Sequence, residues 1–304
     1  METVSVIIPT HNRKKYLKTA IESVLEQSYP IHEIIVVDDS SEYDITSFLD
    51  DYNEKIILIR NDKQMGCAAT YNKGIKASSG DFVTILNDDD VFHPLKIQKQ
   101  LTIFQKNPEL GIVYCPIGTV YKEKILYKSI TNEKNKWNGL YHLNNIGITP
   151  LIKKSCFDTC GLFDTNLCYN EDRDLWYRIG KQYTFGFDTF PLYLEYNHTI
   201  QRLSSSLENI CQGRKEFYRK HKNDYPVEKD YFSDLYFELA HEYQRFGNHK
   251  TYVSYILKSI SIKPNLFFKC FKIPYEKIKG KNIVHLDAKL KSLINKQNEG
   301  ITNG

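Results

Sequence analysis

The stretch DFVTILNDDD, residues 81–90, contains an apolar run typical of a buried strand, Phe82–Leu86, and ends in three consecutive aspartates. Adjacent carboxylates repel one another and lose hydration at a buried strand end, so such a cluster is costly unless a cation neutralises it. Mg²⁺ and Mn²⁺ prefer oxygen ligands of this kind. Two interpretations are open: a metal site that binds a diphosphate, or a solvated acidic turn that caps a helix beginning near Pro94.

Two earlier segments repeat this pattern. Val4–Pro9 and Glu33–Val37 are nearly continuous apolar runs, as expected of strands buried on both faces of a parallel sheet. Polar residues follow each run, at Thr10–Arg13 and at Asp38–Ser41. In open parallel sheets, ligands bind beyond the carboxyl ends of the strands. We therefore expect these two polar segments and residues 87–90 to form one site.

The hydrophobic periodicity predicts alternating strands and helices, which is typical of a mainly parallel, Rossmann-like α/β sheet flanked by helices. Helices are predicted at 16–27, 43–52, 94–105 and 153–160, and strands at 55–60, 110–116, 118–126, 146–152 and 186–196. From Leu207 the pattern is helical to the end, and includes an antiparallel, tetratricopeptide-like pair at 232–246 and 249–262. We expect a catalytic domain at 1–222 and an all-helical extension at 223–304.

The composition limits the classes of partner. The chain has 304 residues and a net charge of +4, which is too small to indicate nucleic-acid binding. Its seven cysteines are odd in number and include no Cys-x-x-Cys pair, so reduced thiols are favoured over a zinc site or disulfides. No run approaches the roughly 18 to 20 apolar residues that span a bilayer. No basic, apolar leader precedes Val4, and we expect a cytoplasmic protein.

The region 266–281 combines aromatic and aliphatic residues with five lysines. Two interpretations are open for this tail. It forms a basic amphipathic surface that contacts anionic lipid at the inner face of the membrane, or a solvated helix that caps the domain.

A second segment rich in carboxylates is Asn170-Glu171-Asp172, which opens an amphipathic helix ending near Ile179. Taken alone, these carboxylates are typical of a helix N-terminus, where the helix dipole favours negative charge. Farther along the chain, His198 and Arg202 follow a predicted strand.

Together, five blocks resemble a family 2 glycosyltransferase with the GT-A fold, of the inverting type. The blocks are VSVIIPTHNR (4–13), IIVVDDSS (34–41), GCAATYNKGI (66–75), GDFVTILNDDD (80–90) and NEDRDLWYRI (170–179). The resemblance covers residues 1–210, and the order and spacing of the blocks make it specific.

The resemblance implies roles for individual residues. The nucleotide and donor contacts are expected from Pro9, Thr10, Asn12, Arg13, Asp38, Asp39, Asn72 and Asp88. Asp89 and Asp90 would hold Mn²⁺ or Mg²⁺, with His198 as a third ligand. Asp172 would be the general base, supported by Glu171 and Arg202.

The chain departs from the family pattern at two positions. Asn87 stands where the acidic motif usually begins with Asp, so the register is either Asn87-x-Asp89 or Asp88-x-Asp90. An amide is a weaker ligand than a carboxylate, which favours Asp89 and Asp90. Tyr71 replaces a common Arg and removes one positive partner for the donor phosphates.

The implied reaction is sugar transfer from a nucleoside diphosphate sugar, expected to be UDP-linked, to an acceptor hydroxyl in a glycan, polysaccharide or glycolipid. Acceptor choice is expected to lie in the loop 127–145 and the C-terminal helices. One alternative is a nucleotidyltransferase, which would need a glycine-rich phosphate loop where residues 9–16 contain no glycine. Another is a donor-binding scaffold, which would have no need of Glu171 and Asp172.

Overall fold

The computed structural model describes residues 1–50, 52, 56–121, 124–128, 146–196, 206–224, 228–264 and 281–285. The chain separates into two compact units, and their boundary falls within one helix. The first unit comprises Met1–Phe163, Leu175–Asn197 and Lys281–Gly304, and the second comprises Asp164–Asp174 and His198–Gly280. The predicted domain boundary at residue 222 stays a prediction.

The secondary structure alternates between strands and helices over the first 110 residues. The strands are β1 (Val4–Thr10), β2 (Glu33–Asp38), β3 (Ile56–Arg60), β4 (Phe82–Ile85), β5 (Asp90–Phe92), β6 (Leu110–Tyr114), β7 (Ile117–Tyr121), β8 (Lys124–Lys128), β9 (Leu151–Lys153), β10 (Thr184–Phe187), β11 (Tyr193–Tyr196) and β12 (Lys281–His285). The helices are α1 (Lys14–Leu25), α2 (Ile45–Leu49), α3 (Cys67–Ala77), α4 (Lys96–Lys106), α5 (Ser155–Cys160), α6 (Glu171–Gly180), α7 (Leu207–Lys220), α8 (Glu228–Arg245) and α9 (His249–Ile262).

The main sheet has seven strands in the order β10-β6-β9-β4-β1-β2-β3. Strands β4, β1, β2 and β3 are parallel neighbours, whereas β9 runs antiparallel between β4 and β6. A second sheet has the order β12-β8-β7-β11-β5. The mixed, mainly parallel sheet flanked by helices confirms the predicted fold class.

Helices cover both faces of the main sheet. On one face, Val6 and Ile8 of β1 share a buried cluster with Leu17 of α1 and Ile97 of α4. On the other face, α3 packs against β1 and β2. A Cβ at Gly74 of α3 would lie 2.5 Å from Ile7 Cγ2, so only glycine permits this close approach.

Several predicted elements differ in detail. The two long predicted strands at 118–126 and 186–196 are each interrupted, giving β7 and β8 from the first and β10 and β11 from the second. The short strand β5 directly follows the aspartates, and β12 pairs with β8 inside a region whose pattern is helical. Neither short strand could be predicted, because three to five residues carry too little periodicity.

The second unit contains α7, α8 and α9, and the predicted helix pair corresponds to α8 and α9. No helix in the described part of the chain is long and apolar enough to span a bilayer. The expected lipid-binding tail and most of the expected acceptor loop, residues 265–280 and 129–145, lie outside the described residues.

Lys96, at the start of α4, is a fully buried cation in the first unit. Its Nζ donates hydrogen bonds to Thr84 Oγ1 at 3.0 Å and Gln100 Oε1 at 2.8 Å, and lies 4.3 Å from the centre of the Phe92 ring. Burial lowers the pKa of Lys96 to about 7. The ammonium therefore contacts β4 at Thr84, four residues before the first of the three aspartates.

Replacing this lysine should change the pH dependence of stability. The unfolded chain keeps the Lys96 proton until about pH 10.4, whereas the folded chain releases it above about 7. The free energy of unfolding of the wild type should therefore rise relative to Lys96→Met above pH 7, by up to about 1.4 kcal/mol per pH unit. Urea denaturation across this range measures the difference. Lys99→Met, on the exposed side of α4, should show no such slope, and a pH-independent difference for Lys96→Met would contradict the assignment.

Candidate active site

The carboxyl ends of β1, β2 and β4 meet at one edge of the main sheet. Thr10 is the register partner of Asp38, and Ile7 that of Ile85. The chain continues this pairing beyond the strands, since Asp39 N donates to Thr10 O at 2.8 Å and Leu86 N to Ile7 O at 2.9 Å. The strand register thus brings together the three polar segments that were expected to form one site.

The first two of these segments are also tied by side chains. Asn12 N donates to Ser41 Oγ at 2.9 Å, and Asn12 Oδ1 accepts from Glu42 N at 2.8 Å. Asn12 and Ser40 have φ of 56° and 66°. Non-glycine residues in this left-handed region are rare and concentrate at functional loops.

The three aspartates are almost fully buried, with exposures of 4% for Asp88, 4% for Asp89 and 2% for Asp90. Thr10 Oγ1 donates to Asp88 Oδ2 at 2.8 Å. Arg13 Nη1 lies between the first two carboxylates, 3.1 Å from Asp88 Oδ1 and 2.8 Å from Asp89 Oδ2. Burial raises the pKa of Asp88 to about 6, against the lowering effect of the Arg13 guanidinium.

Tyr193 of β11 holds the third aspartate. Its hydroxyl donates to Asp90 Oδ2 at 2.8 Å and accepts from Asn87 N at 3.2 Å. Burial raises the pKa of Tyr193 well above its ordinary value, so the hydroxyl keeps its proton and remains a donor. Sequence reasoning missed Tyr193, because β11 is more than 100 residues away and carries no motif.

The two departures from the family pattern touch each other. Tyr71 Oη donates to Asn87 Oδ1 at 3.0 Å. A neutral hydrogen-bonded pair therefore stands at the two positions where the resemblance leads us to expect Arg and Asp. Because both side chains are neutral and hydrogen-bonded to each other, neither leaves a charge without compensation.

The aspartate donors suit a hard divalent cation. Three buried carboxylates supply oxygen ligands and an excess of negative charge over the single guanidinium of Arg13. Within the described residues, no three Asp, Glu, His or Cys side chains converge on one point. Mg²⁺ commonly binds through one or two carboxylates and takes its other ligands from water and substrate phosphates, so this donor set fits.

The expected nucleotide side of the site is anchored by Asp38 and Asp39. Asp38 is fully buried and accepts from Ser41 N at 3.0 Å, with Arg60 Nε 3.3 Å away. Asp39 accepts from Asn61 Nδ2 at 2.7 Å and from the backbone N–H groups of Met65 and Gly66 at 2.8 and 2.9 Å. Asp39 thereby joins β2 to the start of α3.

Two other predicted donor residues have structural partners. Pro9 is in β1, opposite Val37. The Asn72 amide donates to Phe163 O at 2.8 Å and accepts from Phe163 N at 2.9 Å. The donor role of Asn72 stays a prediction, and the observed contact is a clamp on the segment after α5.

Glu171 and Asp172 begin α6 and belong to the second unit. Both are half-buried, and Asn170 before them has a φ of 68°. Burial and the Asp172 charge raise the pKa of Glu171 to about 7, and burial also raises the pKa of Asp172. Carboxyls that titrate toward neutral pH are suited to general base catalysis. His198 and Arg202, the predicted third ligand and supporting residue, lie outside the described residues.

Comparison with known proteins gives the class. The family model described as Glycosyl transferase family 2 matches residues 5–169. An uncharacterized glycosyltransferase of Rickettsia prowazekii (strain Madrid E) is 33% identical over 217 residues, which cover 68% of each chain. This protein is therefore a member of glycosyltransferase family 2, and so a transferase, as the sequence blocks predicted. Family membership favours sugar transfer over the nucleotidyltransferase and scaffold alternatives.

Solved structures support the fold. S. aureus TarS 1–349 in complex with UDP-GlcNAc matches with a TM-score of 0.63 at 16% identity, over 86% of this chain and 81% of that one. The mannosyltransferase PcManGT from Pyrobaculum calidifontis, in complex with GDP-Man and Mn²⁺, matches with a TM-score of 0.58 at 16% identity, over 99% and 85% of the chains. The GT-A fold is thus confirmed.

Neutralising Asp39 should loosen the link between β2 and α3. In Asp39→Asn, a neutral amide replaces the carboxylate that accepts hydrogen bonds from three N–H groups. Because one amide oxygen cannot replace both carboxylate oxygens, we expect a loss of about 1.5–3 kcal/mol in the free energy of unfolding. Urea denaturation measures this loss. Asp62→Asn, at an exposed position in the loop between β3 and α3, should leave stability unchanged. Equal stability of Asp39→Asn and wild type would show that the three hydrogen bonds contribute little.

Proposed function

We propose that the protein is a metal-dependent, inverting glycosyltransferase that moves a sugar from a UDP-linked donor to an acceptor hydroxyl of a glycan or lipid-linked glycan. The observation that carries the proposal is the convergence of Asp39, Arg13 and the three aspartates on one sheet edge. In this proposal, Asp39 anchors the nucleotide side of the edge, and the three buried carboxylates would bind a cation.

In this proposal the donor nucleotide lies along the ends of β1 and β2. Pro9, Thr10, Asn12 and Asp39 would contact the base and ribose. Their loops are held in place before the donor arrives, since Asn12 is bonded to Ser41 and Asp39 to Gly66. A site fixed in this way loses little conformational freedom when the donor binds.

Asp89 and Asp90 would hold Mn²⁺ or Mg²⁺, with Asp88 held alongside by Thr10. When bound, the cation supplies charge neutralisation for the departing diphosphate. Arg13 now bridges Asp88 and Asp89. With a cation on these carboxylates, the Arg13 guanidinium would be available to bind a donor phosphate, whose geometry it matches.

Asp172 would act as the general base. It takes the proton of the acceptor hydroxyl while the acceptor oxygen forms a bond to the anomeric carbon. The bond from that carbon to the phosphate oxygen breaks, and its electron pair leaves with the nucleoside diphosphate. A single displacement of this kind inverts the anomeric configuration. Burial and the Asp172 charge raise the pKa of the neighbouring Glu171 to about 7, and burial also raises the pKa of Asp172, which makes its carboxylate a stronger base.

The UDP donor is supported by the fold similarity to TarS, whose structure holds UDP-GlcNAc, and GDP-Man is the competing donor because PcManGT holds it. A calorimetric screen with UDP-Glc, UDP-Gal, UDP-GlcNAc and GDP-Man, each with Mn²⁺, separates these donors. The acceptor and the contact of residues 266–281 with the inner face of the membrane rest on the sequence alone.

Asp172→Asn tests the base directly. An amide cannot accept the proton, so transfer should fall by about 100-fold to 10,000-fold, whereas the dissociation constant of the donor should stay within about twofold. An assay of nucleotide release measures transfer, and calorimetry measures the donor dissociation constant. NMR of the product made by the wild type should show the anomeric configuration opposite to that of the donor.

The matched control is Asp158→Asn, an exposed position on α5 that should transfer at the wild-type rate. Normal turnover by Asp172→Asn would show that another group is the base. A product that retains the donor configuration would contradict the single displacement.

A further inference from the structure

Arg173, the residue directly after the proposed base, is held by a carboxylate from α8. Its Nη1 and Nη2 donate to Glu238 Oε2 at 2.6 Å and Oε1 at 2.7 Å. The exposures are 2% for Arg173 and 4% for Glu238. A buried, two-point guanidinium–carboxylate pair fixes orientation as well as distance. Glu238 therefore determines the position of Arg173.

A second arginine, Arg214, contacts Asn170, the residue directly before Glu171 and Asp172. Arg214 of α7 lies 3.1 Å from Glu238 Oε2, and its Nη2 donates to Glu242 Oε1 at 2.9 Å. Its Nη1 also donates to Asn170 Oδ1 at 3.4 Å. Asn170 and Arg173 flank Glu171 and Asp172 in the chain. We call Asn170, Arg173, Arg214, Glu238 and Glu242 the Glu238 clamp.

The backbone of α7 is also fitted to this segment. A Cβ at Gly213 would lie 2.5 Å from Tyr169 Cβ and 2.6 Å from Tyr169 O. A side chain at that distance would force Tyr169 to move, so the backbone of α7 lies directly against Tyr169. This contact is independent of the charges and holds the chain two residues before the carboxylate pair.

The charges of the clamp balance. Two guanidiniums face two carboxylates, all in the second unit, and all are buried or nearly so. Removing one member of such a group leaves an uncompensated buried charge. The positive charges of Arg214 and Arg173 lower the pKa of Asp172, opposing burial, which raises it. The negative charge of Glu238 partly neutralises both guanidiniums, so they lower the pKa of Asp172 less than they would without it.

We propose that Glu238 is a positioning residue for the transfer reaction, which holds Arg173 and Arg214 and through them fixes the Glu171–Asp172 pair. The inference rests on the proposed function, because it takes Asp172 as the base. It gives α7 and α8 a role in catalysis: they hold the base-bearing turn of α6 in place.

Glu238→Gln keeps the size of the side chain and removes its charge. We expect the kcat for nucleotide release to fall at least tenfold, with the donor dissociation constant unchanged. Among the described residues, the charged and titratable groups around Asp172 include Tyr169, Glu171, Arg173 and Arg214. Behind the arginines lie Tyr218, Glu238 and Glu242, and Arg245 pairs with Glu242. Loss of one negative charge among them favours the Asp172 carboxylate. The acid limb of the kcat–pH profile should therefore move down by about half to one pH unit.

Two further variants complete the test. Asp234→Asn loses a carboxylate on the same helix that pairs with Lys263 at 3.8 Å, outside the clamp, and should keep the wild-type kcat and pH profile. Glu238→Asp keeps the charge but shortens the side chain, so the kcat should fall while the acid limb stays in place. If Glu238 had only a structural role, Glu238→Gln would be less stable than the wild type but the acid limb of its kcat–pH profile would not move.

The outcomes separate the two proposals. Wild-type kcat and pH profile in folded Glu238→Gln would overturn the positioning role. If that variant does not fold, a wild-type kcat in folded Glu238→Asp would do the same. Full activity of Asp172→Asn would instead overturn the proposed function, whatever Glu238 does. Circular dichroism and thermal melts establish that each variant is folded.

Discussion

The structure of the site depends on how three buried carboxylates are compensated at the end of β4. Asp88, Asp89 and Asp90 are each less than 5% exposed, and their partners include the Arg13 guanidinium, the Thr10 and Tyr193 hydroxyls and the Asn87 amide. Separate parts of the chain supply these partners, since Arg13 comes from the loop after β1 and Tyr193 from β11. In the proposed reaction, a divalent cation would complete the compensation of these carboxylates.

In the second unit, the charges around Glu171 and Asp172 determine how readily these two carboxyls ionise. A general base must be ionised yet poorly hydrated, and burial raises the pKa values of both Glu171 and Asp172. Two arginines near the pair act in the opposite direction, and Glu238 holds both of them. The helices that follow the family-matched region thereby become part of the proposed catalytic machinery, which the sequence pattern of a tetratricopeptide-like pair did not indicate.

The sequence predicted the main features because they are local. Continuous apolar runs predicted β1, β2 and β4, and the edge they share followed from the rule that ligands bind at the carboxyl ends of parallel strands. Tyr193, Asn61, Arg214 and Glu238 were missed, because each contacts its partner across 22 to more than 100 residues of chain without a motif. The contact between Tyr71 and Asn87 was not foreseen either, although both departures were evident. Such pairs depend on tertiary packing, which one sequence does not encode in any local pattern.

Calorimetry of UDP binding with and without Mn²⁺ tests the compensation of the acidic cluster most directly. The wild type should bind UDP at least about tenfold more tightly with Mn²⁺ than with EDTA. The variant Asp89→Ala with Asp90→Ala should lose this difference, whereas Asp62→Ala with Asp158→Ala, two exposed aspartates, should keep it. An unchanged UDP–Mn²⁺ titration in the folded Asp89→Ala, Asp90→Ala variant would contradict the assignment of the metal–diphosphate site.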